Sequence, residues 1–528
     1  MIKKLCLLNS KILCLHKFCK ELSLGKALLG LFFLGALNAL TMPPAYISWL
    51  YLITLPLFIW ILEGRKTKKS AFLCGWSFGS GFFIVSLYWI NFALFVDFQL
   101  WWWVLPLSVF VGPALLGLYT GFAGLLPFIL NFKKAPFVLA TILSLMLFEW
   151  LRSILFTGFP WNLSGYTWMN TLSMAQNLSW AGIFGLSLLT FLWFSFMAYI
   201  PHLKTRFGQA VMLCLILSFI SCWLYGSKRL RYENNLKNTS TAMRLVQPNI
   251  AQKEKWLNDK RWEHFSNLIK SSQEPSKLSA PITHFIWPET AITFPLQATP
   301  AAQQLISKIL PDDKTVLLSG NLHYSPAKNG KPPSFYNSLV SINGGDNRLK
   351  YFHKFHLVPF GEYIPFRSFI SIGAIGSAIS NTSDFTAGDG PYSVTSLNTP
   401  TFSPLICYEV IFSGEVTQPN NRPQWLLNIT NDAWYGHTAG PYQHLAITQA
   451  RAIEEGLPLV RAANTGISAV FSPYGRIIHS LPLGASGNID FYLPKPLKNT
   501  FFASYKNTFF YSIWILLFTF ACIQNRRS

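Results

Sequence analysis

Residues 178–201 read LSWAGIFGLSLLTFLWFSFMAYIP, a stretch without a single charged side chain. An α-helix needs roughly 20 apolar residues to cross the hydrocarbon core of a bilayer, so this stretch is long enough to form a membrane span. Seven other apolar runs have a similar character. The sequence therefore predicts eight spans, at residues 26–42, 46–64, 71–96, 103–131, 135–156, 178–201, 208–226 and 507–523.

The composition of the whole chain agrees with a membrane protein. Its 528 residues are 51% hydrophobic and only 12% charged, whereas soluble proteins carry about 25% charged residues. In a soluble chain the net charge of +21 would suggest a nucleic-acid partner. Here the excess basic residues lie in short connections between apolar runs, so we expect no nucleic-acid partner.

The basic connections indicate how the predicted spans are oriented. Lys and Arg cluster in the N-terminal tail and after the second, fourth, sixth and eighth spans, but are absent around 41–46, 96–99 and 157–177. Cytoplasmic loops are enriched in Lys and Arg, so both termini are predicted to be cytoplasmic. The predicted organisation is a cytoplasmic tail at 1–25, seven spans within 26–226, an outward domain at 227–506, a last span at 507–523 and a cytoplasmic tail at 524–528.

The outward domain alternates between strand-like and helix-like patterns. Strands such as Leu405-Ile406 and Leu426-Leu427 are apolar on successive residues, which is typical of a sheet covered on both faces. This pattern predicts a layered α/β domain. The predicted strands are 243–250, 284–287, 315–322, 335–342, 404–410, 425–430, 459–463 and 468–472, and the predicted helices are 253–271, 301–310 and 441–456.

Three short segments of this domain carry reactive side chains where strands are predicted to end. Glu289 follows the apolar segment Phe285-Ile-Trp-Pro, Lys354 precedes Glu362 by eight residues, and Cys407 follows Pro404-Leu-Ile. Sites in open α/β sheets gather at the carboxyl ends of strands, so the three segments could converge. Taken singly, a strand-end carboxylate, a solvated lysine and a small core cysteine are the commoner interpretations, and spacing alone cannot show that they meet.

Together these residue types support acyl transfer through a thioester. The thiolate is the nucleophile, and a free thiol has a pKa of about 8.5, so Cys407 would need a base or a nearby cation. Glu289 could take the thiol proton, and Lys354 could stabilise the oxyanion of the tetrahedral intermediate. Glu362 could keep Lys354 charged and oriented.

The same segments resemble a known superfamily. Trp287-Pro-Glu289-Thr, Lys354-Phe-His-Leu-Val-Pro-Phe-Gly-Glu362-Tyr-Ile-Pro365 and Ile406-Cys407-Tyr-Glu409 are similar to the nitrilase, or carbon–nitrogen hydrolase, superfamily. With the flanking spans, residues 26–523 resemble the bacterial apolipoprotein N-acyltransferase family. The other matching segments are Glu149-Trp-Leu-Arg152, Gly158-Phe-Pro-Trp161, Asn428-Ile-Thr-Asn431-Asp-Ala-Trp434 and Arg461-Ala-Ala-Asn464-Thr-Gly466.

The resemblance implies a fold and a set of site residues. The fold is a polytopic α-helical membrane bundle joined to an extracytoplasmic α/β domain, a nitrilase-type αββα sandwich. Glu289 is implied as the general base, Lys354 as the oxyanion-stabilising lysine and Cys407 as the nucleophile. The residues implied to support the triad or bind substrate are Glu362, Tyr408, Glu409, Asn431, Trp256 and Trp434; for both tryptophans, packing in a core or interface is the alternative.

The resemblance also implies a ping-pong reaction. A fatty acyl group would pass from a phospholipid, phosphatidylethanolamine by family resemblance, to the cysteine thiol. It would then pass to the α-amino group of the diacylglyceryl-modified N-terminal cysteine of an apolipoprotein, the last step of lipoprotein maturation. The expected setting is the bacterial inner membrane, with the catalytic domain in the periplasm, a monomer, and no metal or other cofactor.

Several alternatives stay open at this point. A membrane-tethered nitrilase-type amidase or hydrolase would share the triad but would have no need for eight spans. A transporter or receptor with an outward binding module is disfavoured by the few ionisable residues within the spans. Glu149 and Arg152 could be a functional pair or a structural one, and the apolar segment 366–379 could be a lipid-contacting lid or a buried connector.

Overall fold

A computed structural model describes residues 2–202, 206–327, 333–345, 348–365, 384–396 and 399–527. The chain forms two compact units, the first comprising Met1–Asn234, Thr438–Ala446 and Asn499–Ser528, and the second Asn235–His437 and Ile447–Lys498. This division differs from the predicted boundaries mainly at residues 438–446, which begin the helix Ala439–Glu455. The apolar segment 366–379 lies outside the described residues.

The first unit is helical and rich in candidate membrane spans. Six described stretches are long and apolar enough to cross a bilayer, and a seventh would be the pair Lys68–Ser86 and Tyr88–Phe95, which bends by 47°. The helix pair Ser48–Glu63 is apolar but shorter, so the count of eight spans stays a prediction. The six stretches are Leu24–Thr41, Trp102–Ile129, Lys134–Thr157, Leu178–His202, Gly208–Asn235 and Thr508–Arg527.

The N-terminal tail, for which the sequence analysis predicts no element, forms the helix Ile2–Glu21. Its Lys20 lies 3.3 Å from Glu63. The other α-helices of this unit are Leu24–Asn38, Tyr51–Glu63, Lys68–Ser86, Phe98–Trp101, Gly112–Ile129, Lys134–Ile154, Leu172–Ala175, Leu178–Phe194, Arg206–Arg231, Phe501–Tyr505 and Thr508–Arg527.

Glu149 and Arg152 hold the aromatic loop that follows their helix. The Glu149 carboxylate accepts hydrogen bonds from the backbone N–H and the hydroxyl of Ser164, at 3.0 and 2.8 Å. The Arg152 guanidinium donates to the main-chain carbonyls of Phe159 and Trp161. These contacts give both residues a structural role, because they satisfy buried main-chain groups of a loop that lacks regular structure.

The described strands of the second unit are β1 Asn238–Gln247, β2 His284–Ile286, β3 Val316–Ser325, β4 Ser334–Asn343, β5 Leu349–His353, β6 Val394–Ser396, β7 Thr399–Ile406, β8 Trp425–Thr430, β9 Leu459–Ala463, β10 Ser468–Phe471, β11 Ile477–Leu481 and β12 Gly487–Pro494. They form two six-stranded sheets with strand orders β12-β1-β2-β3-β4-β5 and β11-β10-β9-β8-β7-β6. In each sheet the three strands β1-β2-β3 or β7-β8-β9 are parallel, and every other pair of neighbouring strands is antiparallel.

The two sheets pack face to face between helices. Leu318 of β3 belongs to a buried cluster with Phe402 and Leu427 of the second sheet. The adjacent Leu317 points the opposite way, into a cluster with the helices Arg261–Gln273 and Pro300–Ser307. Because successive strand residues face opposite sides, both faces of the central strands are buried. Arg461 of β9 donates a hydrogen bond to Thr448 at 3.2 Å, so residues 447–455 of the helix Ala439–Glu455 lie against the second sheet. The layer order is α-β-β-α.

The structure corrects two element predictions. The strand predicted over 404–410 ends at Ile406, because the next residue has a positive φ and begins the 3-10 helix Cys407–Ile411. The helix predicted over 253–271 is interrupted, and Gln252–Lys255 and Arg261–Gln273 are separate helices. Asn258 and Asp259 lie in the interruption, where their short polar side chains favour a turn.

Candidate active site

Within each sheet, the strands that precede the reactive side chains run in the same direction. In the first sheet β3 and β5 are each antiparallel to β4, so β5 is parallel to β1, β2 and β3. Glu289 follows β2 and Lys354 follows β5 directly. In the second sheet Cys407 follows β7 and Asp432 follows β8. The carboxyl ends of these strands therefore carry the reactive side chains.

Lys354 lies between two carboxylates. Its Nζ atom is 2.8 Å from Glu362 Oε2 and 3.9 Å from Glu289 Oε1. The Asn337 amide donates from Nδ2 to Glu289 Oε1 at 2.7 Å and to Glu362 Oε1 at 2.9 Å. Burial by itself would lower the pKa of Lys354, but Glu362 and then Glu289 outweigh it and raise that pKa above its usual range. Lys354 is therefore a permanent cation.

Cys407 stands at a sharp turn between a strand and a helical turn. Its φ is 52°, in the left-handed region that a non-glycine residue rarely adopts and that costs about 1–3 kcal/mol. Burial, and then the Glu289 carboxylate, raise the pKa of the Cys407 thiol to about 12, against the opposing effect of Lys354. The resting side chain is therefore a protonated thiol within electrostatic reach of a carboxylate and an ammonium group.

Glu409 links the turn at Cys407 to the turn after Lys354. Its Oε2 accepts the Ile406 N–H at 2.6 Å, while its Oε1 accepts the N–H groups of Phe355 at 2.6 Å and His356 at 3.2 Å. Burial raises the pKa of the Glu409 carboxyl to about 8, against the opposing effect of these hydrogen bonds and of Lys354. Glu409 is thus a positioning residue that ties two chain segments together.

Asn431 also positions a segment of the chain. It is buried, and its Nδ2 donates to Gln252 Oε1 at 2.8 Å while its Oδ1 accepts from Asn464 Nδ2 at 3.0 Å. The side chain of Asn464 in turn accepts a hydrogen bond from the Ile250 N–H at 2.9 Å and donates one to the Ile250 carbonyl at 2.6 Å. The two asparagines therefore hold the segment that follows β1.

The aromatic residues among the predicted site residues differ in exposure. Tyr408 is buried, and its ring lies 5.2 Å from that of Phe412 between centroids, so it packs within the domain. Trp256 and Trp434 are 40% and 41% exposed. Phe360, which the sequence analysis does not single out, is 77% exposed two residues before Glu362.

Two further features of the site do not follow from the sequence motifs. Lys255 is only 1% exposed, and its Nζ donates to the main-chain oxygen of Glu289 at 2.9 Å. Gly320 of β3 lets the Glu289 segment approach, since a Cβ there would lie 2.3 Å from Thr290 N and 2.6 Å from Glu289 Cα. Lys255 could have been found from the sequence because it directly precedes Trp256, a predicted site residue. Nothing in a single sequence marks Gly320 as part of the site.

Arg461 of β9 and Asp432, which follows β8, form a buried ion pair. Their atoms Nη2 and Oδ2 are 2.6 Å apart, and both side chains are fully buried. Arg461 also bonds Asn428, whose Nδ2 donates to the carbonyl of Leu405 at 3.0 Å. Among the described residues no group of three or more His, Cys, Asp or Glu side chains is arranged to hold a metal ion.

Comparison with known proteins gives the chain a family. Residues 34–197 match the apolipoprotein N-acyltransferase N-terminal domain, and residues 243–490 match carbon-nitrogen hydrolase. The chain is 37% identical over 481 residues to the apolipoprotein N-acyltransferase of Brucella suis biovar 1 (strain 1330), covering 89% of this chain and 90% of that protein. The apolipoprotein N-acyltransferase of Rhodopseudomonas palustris is 36% identical over 484 residues, which cover 89% of this chain and 90% of that protein. The apolipoprotein N-acyltransferase of Rickettsia bellii is 34% identical over 491 residues, which cover 92% of this chain and 94% of that protein. The chain therefore belongs to the apolipoprotein N-acyltransferase family and is an acyltransferase rather than a nitrilase-type hydrolase.

Proposed function

We propose that the chain transfers a fatty acyl group from a phospholipid, through a thioester at Cys407, to the α-amino group of a diacylglyceryl-modified N-terminal cysteine of an apolipoprotein. One observation carries the assignment of residues. Lys354 and Glu289 lie 3.9 Å apart, and both act electrostatically on a buried thiol at the end of β7. A base, a cation and a nucleophile are the three groups that acyl transfer through a thioester requires.

The first half-reaction forms the acyl-enzyme. Glu289 accepts the proton of the Cys407 thiol, and the thiolate attacks the ester carbonyl carbon of the phospholipid. Lys354 donates a hydrogen bond to the oxyanion of the tetrahedral intermediate. As the intermediate collapses, the carbon–oxygen bond breaks and the leaving oxygen takes the proton from Glu289, which releases a lysophospholipid.

The second half-reaction forms the amide. The neutral α-amine of the acceptor attacks the thioester carbonyl, and Lys354 again stabilises the oxyanion. The surplus proton of the amine passes to Glu289 and from there to sulfur as the carbon–sulfur bond breaks. Cys407 and Glu289 return to their starting protonation states, so one base serves both halves of a ping-pong cycle.

Exposed aromatic side chains beside the site suit lipid substrates. Trp256, Phe360 and Trp434 occupy the same three chain segments as Lys255, Glu362 and Asp432. Apolar side chains left exposed at a site of charged groups are typical of a surface that binds acyl chains. We assign these three aromatics to the acyl chains of donor and acceptor, and phosphatidylethanolamine is the proposed donor. The proposed acting unit is a monomer.

The decisive test is mass spectrometry of the intact protein after incubation with phosphatidylethanolamine. We expect one fatty acyl mass, mapped by peptide analysis to Cys407, and its removal by a synthetic diacylglyceryl-cysteine peptide. Cys407→Ala should carry no adduct, whereas Cys214→Ala, which removes an exposed cysteine of the first unit, should be acylated like the parent. An unmodified parent, or an adduct on another cysteine, would overturn the proposal.

The proposed topology has eight spans in the bacterial inner membrane, with the catalytic domain in the periplasm. It rests on the basic residues of alternate connections. Single cysteines introduced at the exposed positions Lys277 and Lys66 give the test, in a background without other exposed cysteines. An impermeant maleimide should label Lys277→Cys in spheroplasts and Lys66→Cys only after lysis. The reverse pattern would contradict this topology.

A further inference from the structure

The site contains a charged side chain that the reaction above does not use. Lys255 ends the short helix Gln252–Lys255 and is 1% exposed. Within the described part of the chain its ammonium makes one hydrogen bond, to the Glu289 carbonyl at 2.9 Å. An ammonium group has three donors, so two have no acceptor among the residues that the structure describes. Burial of a charge with so few partners costs stability, and packing alone does not account for a lysine here.

The position of Lys255 is fixed by the segment that carries it. Gln252, in the same short helix, accepts a hydrogen bond from Asn431 at the end of β8. Ile250, just before that helix, is held by Asn464 at the end of β9. The Gln247 side chain donates to the carbonyls of Pro482 and Ala485, at 3.0 and 2.7 Å. These bonds anchor the segment firmly, so Lys255 is directed to the site rather than left there by a mobile loop.

The charges of the cluster balance only when Lys255 is counted. Glu289 and Glu362 are two carboxylates, and Lys354 supplies one cation, which lies closer to Glu362 at 2.8 Å than to Glu289 at 3.9 Å. Burial raises the pKa of the Glu409 carboxyl to about 8, so at neutral pH this group adds little negative charge, and Asp432 is paired with Arg461. Lys255 therefore supplies the charge that keeps this buried cluster from being net negative.

We propose that Lys255 is the second cation of the active site, a positioning residue that fixes Glu289 through its main-chain oxygen and offsets the negative charge that develops at Cys407. Without it, proton transfer from sulfur to Glu289 would place a thiolate in a cluster of net negative charge. The inference rests on the proposed function, because it takes Cys407 as the nucleophile.

The charge of Lys255 should make acylation depend on pH. Burial lowers the pKa of Lys255 to about 8, against the opposing effects of Glu289 and Cys407. The titratable groups that act on it are Glu289 after β2 and Cys407 after β7, and His264 of the helix Arg261–Gln273 lies within electrostatic reach. Below this pKa the ammonium is present, and above it the cation is lost. Acylation of Cys407 should therefore slow as the pH rises through about 8.

The test compares Lys255→Met, Lys255→Arg and the parent in the rate of acyl-adduct formation at Cys407. Met removes the charge and keeps the length, so we expect about 10- to 100-fold slower acylation and no decline near pH 8. Arg keeps a cation at every accessible pH, so it should recover much of the rate and also abolish that decline. Lys253→Met is the matched control, because Lys253 is an exposed residue of the same helix.

The outcomes separate this inference from the proposed function. Parental rate and pH profile in folded Lys255→Met would overturn the role of Lys255 while leaving the adduct in the parent intact. Absence of an adduct in the parent would instead overturn the proposed function. Thermal melting in detergent identifies a variant that fails to fold; Lys255→Arg then decides, and an unchanged decline near pH 8 in that variant would refute the inference.

Discussion

Two clusters of buried charge, one at the strand ends of each sheet of the second unit, differ in how closely their charges are paired. At the end of β8, in the second sheet, Asp432 pairs with Arg461 at 2.6 Å, and neither side chain is exposed. In the first sheet Lys354 divides its charge between Glu362 at 2.8 Å and Glu289 at 3.9 Å. Asp432 and Arg461 are therefore in direct contact. Among the described residues, the Glu289 carboxylate has no cationic partner closer than 3.9 Å.

This difference distinguishes charged residues that stabilise the fold from charged residues that can exchange protons. A close buried pair keeps its protonation state, because changing one partner leaves the other uncompensated. A carboxylate with an incomplete partner can accept a proton at lower cost, and such groups concentrate at catalytic sites. In the proposed mechanism, the first sheet therefore supplies the groups that move protons, and the second supplies the nucleophile together with the hydrogen bonds that hold it.

The largest expected effect comes from replacing Glu289, whose carboxylate has no close cationic partner. Glu289→Gln keeps the shape of the side chain but cannot accept the thiol proton. Acylation of Cys407 should slow by about 10²–10⁴-fold, with a melting temperature near that of the parent. The rate of adduct formation and a thermal melt in detergent measure the two quantities. Parental acylation in this variant would refute the role of Glu289 as the base.

Disrupting the Asp432–Arg461 ion pair should lower the stability of the protein. Arg461→Met leaves Asp432 buried without its partner, which should lower the free energy of unfolding by about 3–5 kcal/mol. Thermal or denaturant unfolding in detergent checks this. The double variant Arg461→Met with Asp432→Asn should recover part of the loss, since it removes the unpaired charge. A single variant as stable as the parent would show that the pair is not a structural one.

A smaller effect is expected from the amide that joins the two carboxylates of the first sheet. Asn337→Leu removes the donor to Glu289 and Glu362, and acylation should slow by about 10- to 100-fold, the equivalent of one or two hydrogen bonds to charged groups. Asn337→Asp should be slower still, because it adds a third carboxylate beside them. Equal rates for the two variants would show that the charge at this position is unimportant.

The smallest effect should come from the exposed aromatics. Phe360→Ser should raise the KM for phospholipid about 3- to 10-fold at an unchanged melting temperature, because it removes apolar surface offered to an acyl chain. Ile478→Ser is the comparison, since Ile478 is 39% exposed on β11 and its loss should leave KM unchanged. An equal change in both variants would remove the argument for a lipid contact at Phe360.

The predictions from sequence succeed where the pattern is local. Strands such as β8 and β9 are rich in apolar residues, and their predicted bounds match the observed ones at Trp425–Thr430 and Leu459–Ala463. The edge strand β11 is exposed along most of its length, so its sequence does not need the apolar character of a buried strand, and the strand is not predicted. The turn at Cys407 also escapes prediction, because a positive φ in a non-glycine residue is imposed by neighbouring structure.

The amino-acid sequence by itself determined the apolar helices, the α/β class of the polar segment and the motif residues, because hydrophobic periodicity, charge and short motifs are local properties. Only the tertiary structure decided which charges share the site. Lys255 bonds a carbonyl 34 residues away, and Asn337 joins two carboxylates that lie 48 and 25 residues from it in sequence. Such contacts depend on how the strands align, and electrostatic interaction is set by distance in space rather than by order along the chain.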